Sequence, residues 1–325
     1  MNRRHHAANG LPHGAAGFSL VELMVAMLIS LLLGAAAISL FLSNKRIYTA
    51  TEGLGRIQES ARIAFELMSR DIRGAGGNPC DVRMELVNVL SDTTNWWVNY
   101  DAGIRGFDDG DHPDSAGDTD AIQIQYFEDT GVVTSGGMAN VTAALPVSNT
   151  APFRDGQILM ACGFFPIGPT EPVIDTAAIF SAGLAAGSIT HSVGNGNTSD
   201  EFLNALQPTA VSFPTGSSLG IMRALEWYVD TNDDGGTSLY RRQLFYTDTG
   251  PEMGAPEEIV PDVTDMQLAY LENGAWVDGA ASGWNNVTAV RVALVLQARD
   301  SRAGGVEGNL ISRRLEHVIA LRNKL

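Results

Sequence analysis

Basic residues are scarce in this chain of 325 residues. It contains 21 lysines and arginines against 37 aspartates and glutamates, which gives a formal net charge of −16. A protein that binds nucleic acid through phosphate contacts presents a basic face, and its binding grows with the number of basic contacts. The acidic balance therefore argues against direct binding of nucleic acid.

Cysteine and recognisable catalytic motifs are also scarce. Cys80 and Cys162 are the only cysteines, and we find neither a zinc-binding nor a phosphate-binding motif. The segment Gly216-Ser217-Ser218-Leu219-Gly220 fits the G-x-S-x-G pattern of hydrolases. However, it leads into a strand pattern, whereas the nucleophile elbow requires a helix. We therefore expect no enzymatic activity and no cofactor, with calcium as the one ion to consider.

Charge is absent from the 20 residues between Leu23 and Leu42. A helix of that length covers about 30 Å, which is the thickness of the hydrocarbon core of a bilayer. Glu22 is the only ionisable residue between Gly17 and Leu42. Because an ionised carboxylate in such a helix costs about 2.5–3.5 kcal/mol, we expect Glu22 to have a partner. The alternative is a signal anchor in which Glu22 lies at the level of the headgroups.

Residues 1–17 contain Arg3 and Arg4 and no acidic residue. The positive-inside rule keeps such a segment in the cytoplasm and places the rest of the chain across the membrane. A secretory signal peptide is cut after its apolar region, but no polar break follows the small residues Ala36 and Ala37. Loss of Arg3 and Arg4 with the leader takes the net charge from −16 to −18.

The residues at the start of the apolar segment resemble the processing signal of a known protein family. Gly17 followed by Phe18-Ser19-Leu20-Val21-Glu22 resembles the class III signal of type IV prepilins and pseudopilins. The resemblance implies that a prepilin peptidase cuts between Gly17 and Phe18 and methylates the new N-terminal residue, Phe18. It further implies that Glu22 pairs with the α-amine of a neighbouring subunit in a filament. That amine is the partner which the desolvation cost of Glu22 requires.

The apolar pattern continues beyond Leu42 at helical spacing. Its members are Ile47, Ala50, Leu54, Ile57, Ala61, Phe65, Met68 and Ile72. The pattern predicts one helix from Phe18 to Arg73, on the order of 80 Å long, that ends at the glycine cluster 74–77. Gly53 and Gly55 are expected to loosen it. We interpret the stripe as a face that packs under a C-terminal sheet.

Further along, the period of the apolar residues changes to two, which predicts strands. The predicted strands lie near 122–126, 266–270, 290–296 and 315–321, and a hairpin joins 219–229 to 239–246 through a polar turn. The region 173–208 is rich in small residues, and we predict loops and at most one strand there. A long N-terminal helix followed by an antiparallel sheet gives an α+β fold, the pilin fold.

Several C-terminal segments together resemble the PilW family of minor pilins. They are 76–80 (GGNPC), 263–268 (VTDMQL), 290–294 (VRVAL) and 319–323 (IALRN). The predicted organisation is a leader at 1–17, a transmembrane and filament-core helix at 18–43, an amphipathic extension at 44–73 and a β-rich extracytoplasmic domain at 74–325. The resemblance implies a low-abundance subunit that primes or caps a type IV pilus at or near its tip.

The resemblance also implies a location and a set of partners. The chain is expected in the inner membrane with a cytoplasmic N-terminus, and afterwards in the pilus. Its partners are the prepilin peptidase, other minor pilins, the major pilin and the assembly platform, and a tip adhesin is a further candidate. Adhesion and twitching motility are the associated processes. Two alternatives stay open: a minor pseudopilin of a type II secretion system, and a membrane-anchored extracytoplasmic binding module.

The two cysteines and two acidic segments are further candidate sites. In an oxidising compartment Cys80 and Cys162 would form a disulfide, and the alternative is two buried thiols. Asp230, Asn232 and Asp234 match the opening of a calcium loop, but Arg241 occupies the twelfth position, where a glutamate belongs, so a polar turn is favoured. The acidic run 108–120 is interpreted as a solvated loop in preference to a cation site.

Overall fold

The structure is a computed structural model that describes residues 17, 19–80, 85–92, 94–166, 173–202, 212–298 and 310–324. Helix α1 extends from Leu20 to Gly74 and has 55 residues, which corresponds to a length of about 80 Å. The single long helix is as predicted, except that Phe18, its expected first residue, lies outside the described residues.

The glycines of α1 do not interrupt it. The helix is continuous through Gly53 and Gly55. The loosening expected at these glycines stays a prediction. A Cβ atom on Gly53 would lie 3.2 Å from the Cβ atom of Ala298. Gly53 therefore allows the helix to approach the C-terminal sheet closely at that point, a role that composition alone does not reveal.

Sixteen strands follow in the described part of the chain. They are β1 (Glu85–Asn88), β2 (Ile104–Phe107), β3 (Ala121–Val133), β4 (Leu145–Pro146), β5 (Ile158–Pro166), β6 (Val173–Ser181), β7 (Gly183–Ala185), β8 (Ser188–Thr190), β9 (Ser218–Thr231), β10 (Thr237–Thr247), β11 (Gly250–Met253), β12 (Glu257–Pro261), β13 (Val263–Glu272), β14 (Ala275–Asp278), β15 (Val287–Gln297) and β16 (Ser312–Ala320). Short 3-10 turns lie at Trp96–Val98, Val193–Asn195, Trp284–Asn286 and Arg322–Lys324.

The strands form three sheets. The largest has nine strands in the order β1-β6-β5-β9-β10-β11, with β3 also beside β9, β2 beside β3 and β12 beside β10. A four-stranded sheet has the order β14-β13-β15-β16, and a small one has the order β4-β8-β7. Pairing is antiparallel apart from β1 with β6, which is parallel. The α+β class is confirmed, with a mixed large sheet in place of a purely antiparallel one.

The strands predicted from alternation are present as β3, β13, β15 and β16, and β9 pairs with β10 as the predicted hairpin. The prediction for 173–208 is wrong, because its described part holds β6, β7 and β8. Strand β6 is covered on both faces: Ala178 and Phe180 lie in one apolar cluster, and Ala177 and Ile179 in another. A strand that is buried on both sides shows no polar alternation, which is why the pattern missed it.

The third apolar cluster joins the helix to the sheets. Residues of α1, of the four-stranded sheet and of the β2-β3-β9-β10 end of the large sheet enclose it. The helical members are fully or almost fully buried: Ile57, Ala61, Ala64, Met68 and Ile72. The predicted packing of the outer part of the helix under a sheet is thus confirmed, with β16 as its main neighbour.

Candidate functional site

The first half of α1 extends away from the sheets. From Leu20 to Leu42 every residue is exposed, and one 18-residue window has a mean hydropathy of 2.5. By length and composition this helix is able to cross a membrane. A helix that is apolar on every side requires apolar surroundings on every side, and the described part of the chain supplies none there.

The predicted processing junction lies immediately before the helix. Gly17 and Ser19 are outside any regular element, and Leu20 is the first helical residue. The predicted methylation site, Phe18, is outside the described residues. Glu22 lies in the first helical turn, which is favourable for an anionic side chain because the helix dipole is positive there. The carboxylate therefore sits close to the position where cleavage would create a new amine.

A polar contact fixes the second half of α1 on the large sheet. Asp71 accepts a hydrogen bond of 3.0 Å from the indole Nε1 of Trp227, and an Arg241 nitrogen lies 3.7 Å from the same carboxylate oxygen. The Arg241 guanidinium also stands over the Trp227 ring, 5.5 Å from its centroid. Burial raises the pKa of Asp71 above its usual value, although Arg241 and Trp227 oppose that shift.

Sequence reasoning missed Asp71. Its position continues the spacing of the buried residues Ala61, Ala64 and Met68, so it falls on the apolar stripe although it is polar. A buried carboxylate without a hydrogen-bond partner is costly, and its presence on such a stripe is the signal that could have predicted a partner. The identity of that partner could not be predicted, because Trp227 is 156 residues away in the chain.

The end of α1 is held by the C-terminus of the chain. The side-chain amide of Asn323 donates to the carbonyl oxygens of Gly74 and Ala75, both at 3.4 Å. The backbone N–H of Gly76 donates to the carbonyl of Gln125 at 2.9 Å. The Asn323 bonds reach carbonyl groups at the end of the helix, where the helix itself supplies no partner, and the Gly76 bond attaches the following residues to β3. The segment that follows β16 therefore contacts the C-terminal end of α1.

The predicted disulfide is present in the structure. Cys80 and Cys162 are bonded, with Cα atoms 5.4 Å apart and a sequence separation of 82. The bond attaches the segment that follows α1 to strand β5, next to the apolar cluster that contains Ile158 and Met160. It therefore stabilises a part of the domain that the helix does not reach.

The turn at 230–236 is closed by its own side chains. The Asn232 side-chain oxygen accepts hydrogen bonds from the backbone N–H groups of Asp234 and Gly236, at 3.1 and 2.9 Å. Its amide nitrogen donates to Ser238. Arg241, at the twelfth position, pairs with Glu257 at 3.0 Å. These contacts agree with the polar turn that the sequence favours over a calcium loop.

The acidic run divides into two parts. His112 is buried, 3.2 Å from Glu226, and the Arg242 guanidinium bridges Glu226 and Asp114 at 3.2 and 2.6 Å. Burial alone would raise the pKa of Glu226, but His112, Gln123 and Arg242 outweigh it and lower the pKa. The second part brings Asp108, Asp109 and Asp120 together. The interpretation as a solvated loop is wrong for His112 and Asp120, which are 2% exposed.

Ser218, from the hydrolase pattern, begins strand β9 and not a helix. The geometry of a nucleophile elbow is therefore absent at this serine. Within the described residues, His112 is committed to Glu226, and His191 contacts the carbonyl of Ala143 at 3.1 Å.

Comparisons with known proteins agree with the N-terminal features. A family model described as the prokaryotic N-terminal methylation motif matches residues 12–38. No curated protein matches the chain. A solved type IV-like pilin from Thermus thermophilus is similar over 83% of this chain and 99% of its own, with 9% identity and a TM-score of 0.34. That likeness is too remote to add to the fold described above. The chain therefore has an N-terminal methylation motif that leads into a helix long and apolar enough to cross a membrane.

Proposed function

We propose that this protein is a minor pilin of the PilW kind, which primes or caps a type IV pilus and presents its globular domain at or near the tip. The observation that carries the proposal is the first half of α1. It is apolar on all sides, lacks partners within the described chain and has one carboxylate, Glu22, in its first turn. Other copies of such a helix would provide the apolar surroundings that it needs.

The proposed sequence of events starts with the leader 1–17 held in the cytoplasm and residues 18–43 in the inner membrane. The prepilin peptidase cuts after Gly17, and Phe18 becomes the methylated N-terminus. The new amine and Glu22 of a neighbouring subunit then attract each other in a medium of low dielectric constant. Because an unpaired buried charge is costly, only the axial stagger that joins the two is favourable.

The proposed partners are the prepilin peptidase, the other minor pilins, the major pilin and the assembly platform of the inner membrane. In this arrangement residues 44–73 form the amphipathic part of the helix, and residues 74–325 form the domain outside the membrane. The role is structural and not catalytic. Adhesion and twitching motility are the processes that such a pilus would serve.

Two substitutions of Glu22 test the role of its charge. Glu22→Gln keeps the shape of the side chain and removes the charge, whereas Glu22→Asp keeps the charge. We expect Glu22→Gln to be inserted and cleaved normally, but its share in sheared filaments should fall at least about tenfold, the factor that corresponds to about 1.4 kcal/mol. The share of Glu22→Asp in sheared filaments should fall less than that of Glu22→Gln. Quantitative blotting of filament and membrane fractions measures the share of each variant.

Glu52→Gln is a matched control, because Glu52 lies on the same helix and pairs with Arg56 at 2.6 Å on its exposed surface. It should leave the incorporation unchanged. If Glu22→Gln enters filaments as well as the original protein does, the register role of Glu22 is wrong.

The same N-terminal features are compatible with a minor pseudopilin of a type II secretion system. Loss of secretion with intact pili, after deletion of the gene, would favour that alternative. A membrane-anchored binding module would instead remain in the membrane fraction and never enter filaments. If the protein primes pilus assembly as proposed, deletion of the gene should instead reduce the number of pili, which distinguishes it from both alternatives.

A further inference from the structure

The loop between β2 and β3 gathers three carboxylates. Asp108, Asp109 and Asp120 each place a carboxylate oxygen within 4.8 Å of the others. Two oxygen ligands of one calcium ion lie up to about 5 Å apart, twice the usual calcium–oxygen distance of about 2.3–2.6 Å. The separation of the three carboxylates therefore fits one shared ion of this size.

Asp120 is held in place by the backbone. One oxygen of its carboxylate accepts a hydrogen bond from the N–H of Asp109 at 3.0 Å, and the other from the N–H of Leu268 at 2.7 Å. Its own N–H donates to the carbonyl of Met266 at 2.9 Å. These bonds leave lone pairs on both oxygens and connect the loop to β13 in the other sheet.

No lysine or arginine in the described residues forms an ion pair with these three carboxylates, although the neighbouring Asp114 pairs with Arg242. Burial, followed by the negative charges of Asp109, Asp111 and Asp278, raises the pKa of Asp108. Burial, together with Asp108 and Asp109, also raises the pKa of Asp120, to about 6. The mutual repulsion of the carboxylates is thus not compensated by any described side chain.

A second observation, independent of the acidic residues, is the hydroxyl group of Tyr270. This residue is 1% exposed, and among the described residues its hydroxyl has no hydrogen-bond partner. The hydroxyl lies directly over Gly106, where a Cβ atom would overlap it. A buried hydroxyl without a partner is destabilising, so its presence points to a ligand or a water bound at this position.

The strand register relates this hydroxyl to the carboxylates. Gly106 is opposite Ile122 and Phe107 is opposite Ala121, so the next pair along the two chains is Asp108 with Asp120. Side chains two residues apart on a strand point to the same face. The Tyr270 hydroxyl, over Gly106, therefore lies on the face that carries Asp108 and Asp120, and burial together with both of their charges raises its pKa.

Gly279, the residue that follows β14, borders this site. A Cβ atom on Gly279 would lie 2.8 Å from a carboxylate oxygen of Asp108, so the backbone of Gly279 lies close beside that carboxylate. The site thus lies where the β2-β3 loop of the large sheet meets β13 and β14 of the four-stranded sheet.

We infer that Asp108, Asp109 and Asp120 bind a divalent cation of the calcium type, with the Tyr270 hydroxyl contacting the ion or one of its waters. Oxygen ligands and a partly open loop suit calcium, which accepts six to eight ligands in flexible geometry. The bound ion connects the two sheets. This site is distinct from the polar turn at 230–236 and does not depend on the proposed pilus role.

The test uses the purified full chain in detergent after treatment with a chelator. With a dissociation constant of about 10⁻⁴–10⁻³ M, as in extracellular calcium modules, calcium at about ten times that constant should raise the melting temperature by about 4 °C. The melting temperature should continue to rise with the logarithm of the calcium concentration. The double variant Asp108→Asn, Asp109→Asn should lose this response. The double variant Asp230→Asn, Asp234→Asn is the matched control and should keep it.

Terbium provides a direct measure of binding. The Trp284 ring packs edge-on against Tyr270 at 4.9 Å, so excitation of these aromatic groups should sensitise emission from Tb³⁺ bound at the site. Calcium should displace that emission, and Asp108→Asn, Asp109→Asn should abolish it. Tyr270→Phe should stabilise the chelated protein and reduce the additional gain from calcium, because the unsatisfied hydroxyl is absent.

The inference is overturned if calcium leaves the melting temperature unchanged, or if the response disappears in the 230/234 variant and persists in the 108/109 variant. A 108/109 variant that is folded by circular dichroism and still binds Tb³⁺ with unchanged affinity would also overturn it.

Discussion

The two halves of α1 have opposite surroundings although they form one continuous helix. Between Leu20 and Leu42 all residues are exposed, whereas Ile57, Ala64, Met68 and Ile72 are buried against the sheets. The first half is apolar on every side, and the second has a single apolar stripe. The difference shows that the second half belongs to the fold of the domain, while the first half needs partners outside it.

Each half also contains one carboxylate in an apolar setting. Asp71 has its partners within the chain, in Trp227 and Arg241. Glu22 lies in the exposed half, and its proposed partner is the amine of another subunit. The same physical requirement, that a desolvated charge be paired, is satisfied within the fold for Asp71, and under our proposal assembly would satisfy it for Glu22.

The largest effect should come from shortening apolar side chains in the two halves. Met68 is completely buried and Leu31 is 75% exposed. Met68→Ala should lower the free energy of unfolding of the domain by about 2–5 kcal/mol, because it leaves a cavity. Leu31→Ala should leave it unchanged. Chemical denaturation in detergent, followed by tryptophan fluorescence, measures both, and an equal loss in the two variants would contradict the division of the helix.

Removal of the disulfide should have the next largest effect. Cys80→Ser with Cys162→Ser should reduce the free energy of unfolding by about 2–4 kcal/mol, because the bond constrains the unfolded chain. Since the bond lies in the domain and not in the first half of α1, membrane insertion and cleavage should be unaffected. An unreduced protein in which both thiols react with an alkylating reagent would show that the bond does not form.

The pH dependence of Asp71 should be smaller. Burial raises its pKa in the folded state above the unfolded value of 3.8, so its contribution to stability is complete below that value and is lost as the pH rises through the raised pKa. Asp71→Asn has no charge to bury, so its free energy of unfolding should increase relative to that of the original protein as the pH rises from 4 to 7.

The control for this measurement is Asp129→Asn, at an exposed position of β3. It should show no such trend. If Asp71→Asn instead loses stability relative to the original protein as the pH rises, the ion pair with Arg241 outweighs the cost of burial.

The smallest effect compares the two glycines of α1. Gly55 has open space around it, and Gly53 faces Ala298 at 3.2 Å. Gly55→Ala should stabilise the domain by about 0.5–1 kcal/mol through helix propensity. Gly53→Ala should gain less or lose stability, because its methyl group presses on Ala298. If thermal unfolding shows the same increase in melting temperature for both variants, the helix is not close to the sheet at Gly53.

Local patterns predicted much of this architecture. The helix and its glycine-rich end follow from an apolar spacing that continues through Ile57, Ala61 and Met68, and β15 follows from alternation. The contacts between distant segments were not predictable: Trp227 is 156 residues from Asp71, and Asp120 meets Leu268 across 148 residues. Strand β6 was missed because its two faces are both buried, which removes the alternation on which the prediction depends.

The candidate site divides in the same way. Gly17, Phe18 and Glu22 lie within six residues of sequence, so their roles could be proposed without a structure. The carboxylates of Asp108, Asp109 and Asp120 lie in an acidic run that resembles a solvated loop, and only the pairing of β2 with β3 brings them together. Sequence spacing reveals sites built from local segments and conceals those built by strand pairing.

The central claim is that the first half of α1 is retained after cleavage and enters a filament. Intact-mass and N-terminal analysis of the protein from sheared surface filaments, and separately from membranes, tests it most directly. We expect a chain in the filament fraction that starts at N-methylated Phe18. An uncut chain that starts at Met1 and occurs only in membranes would contradict it.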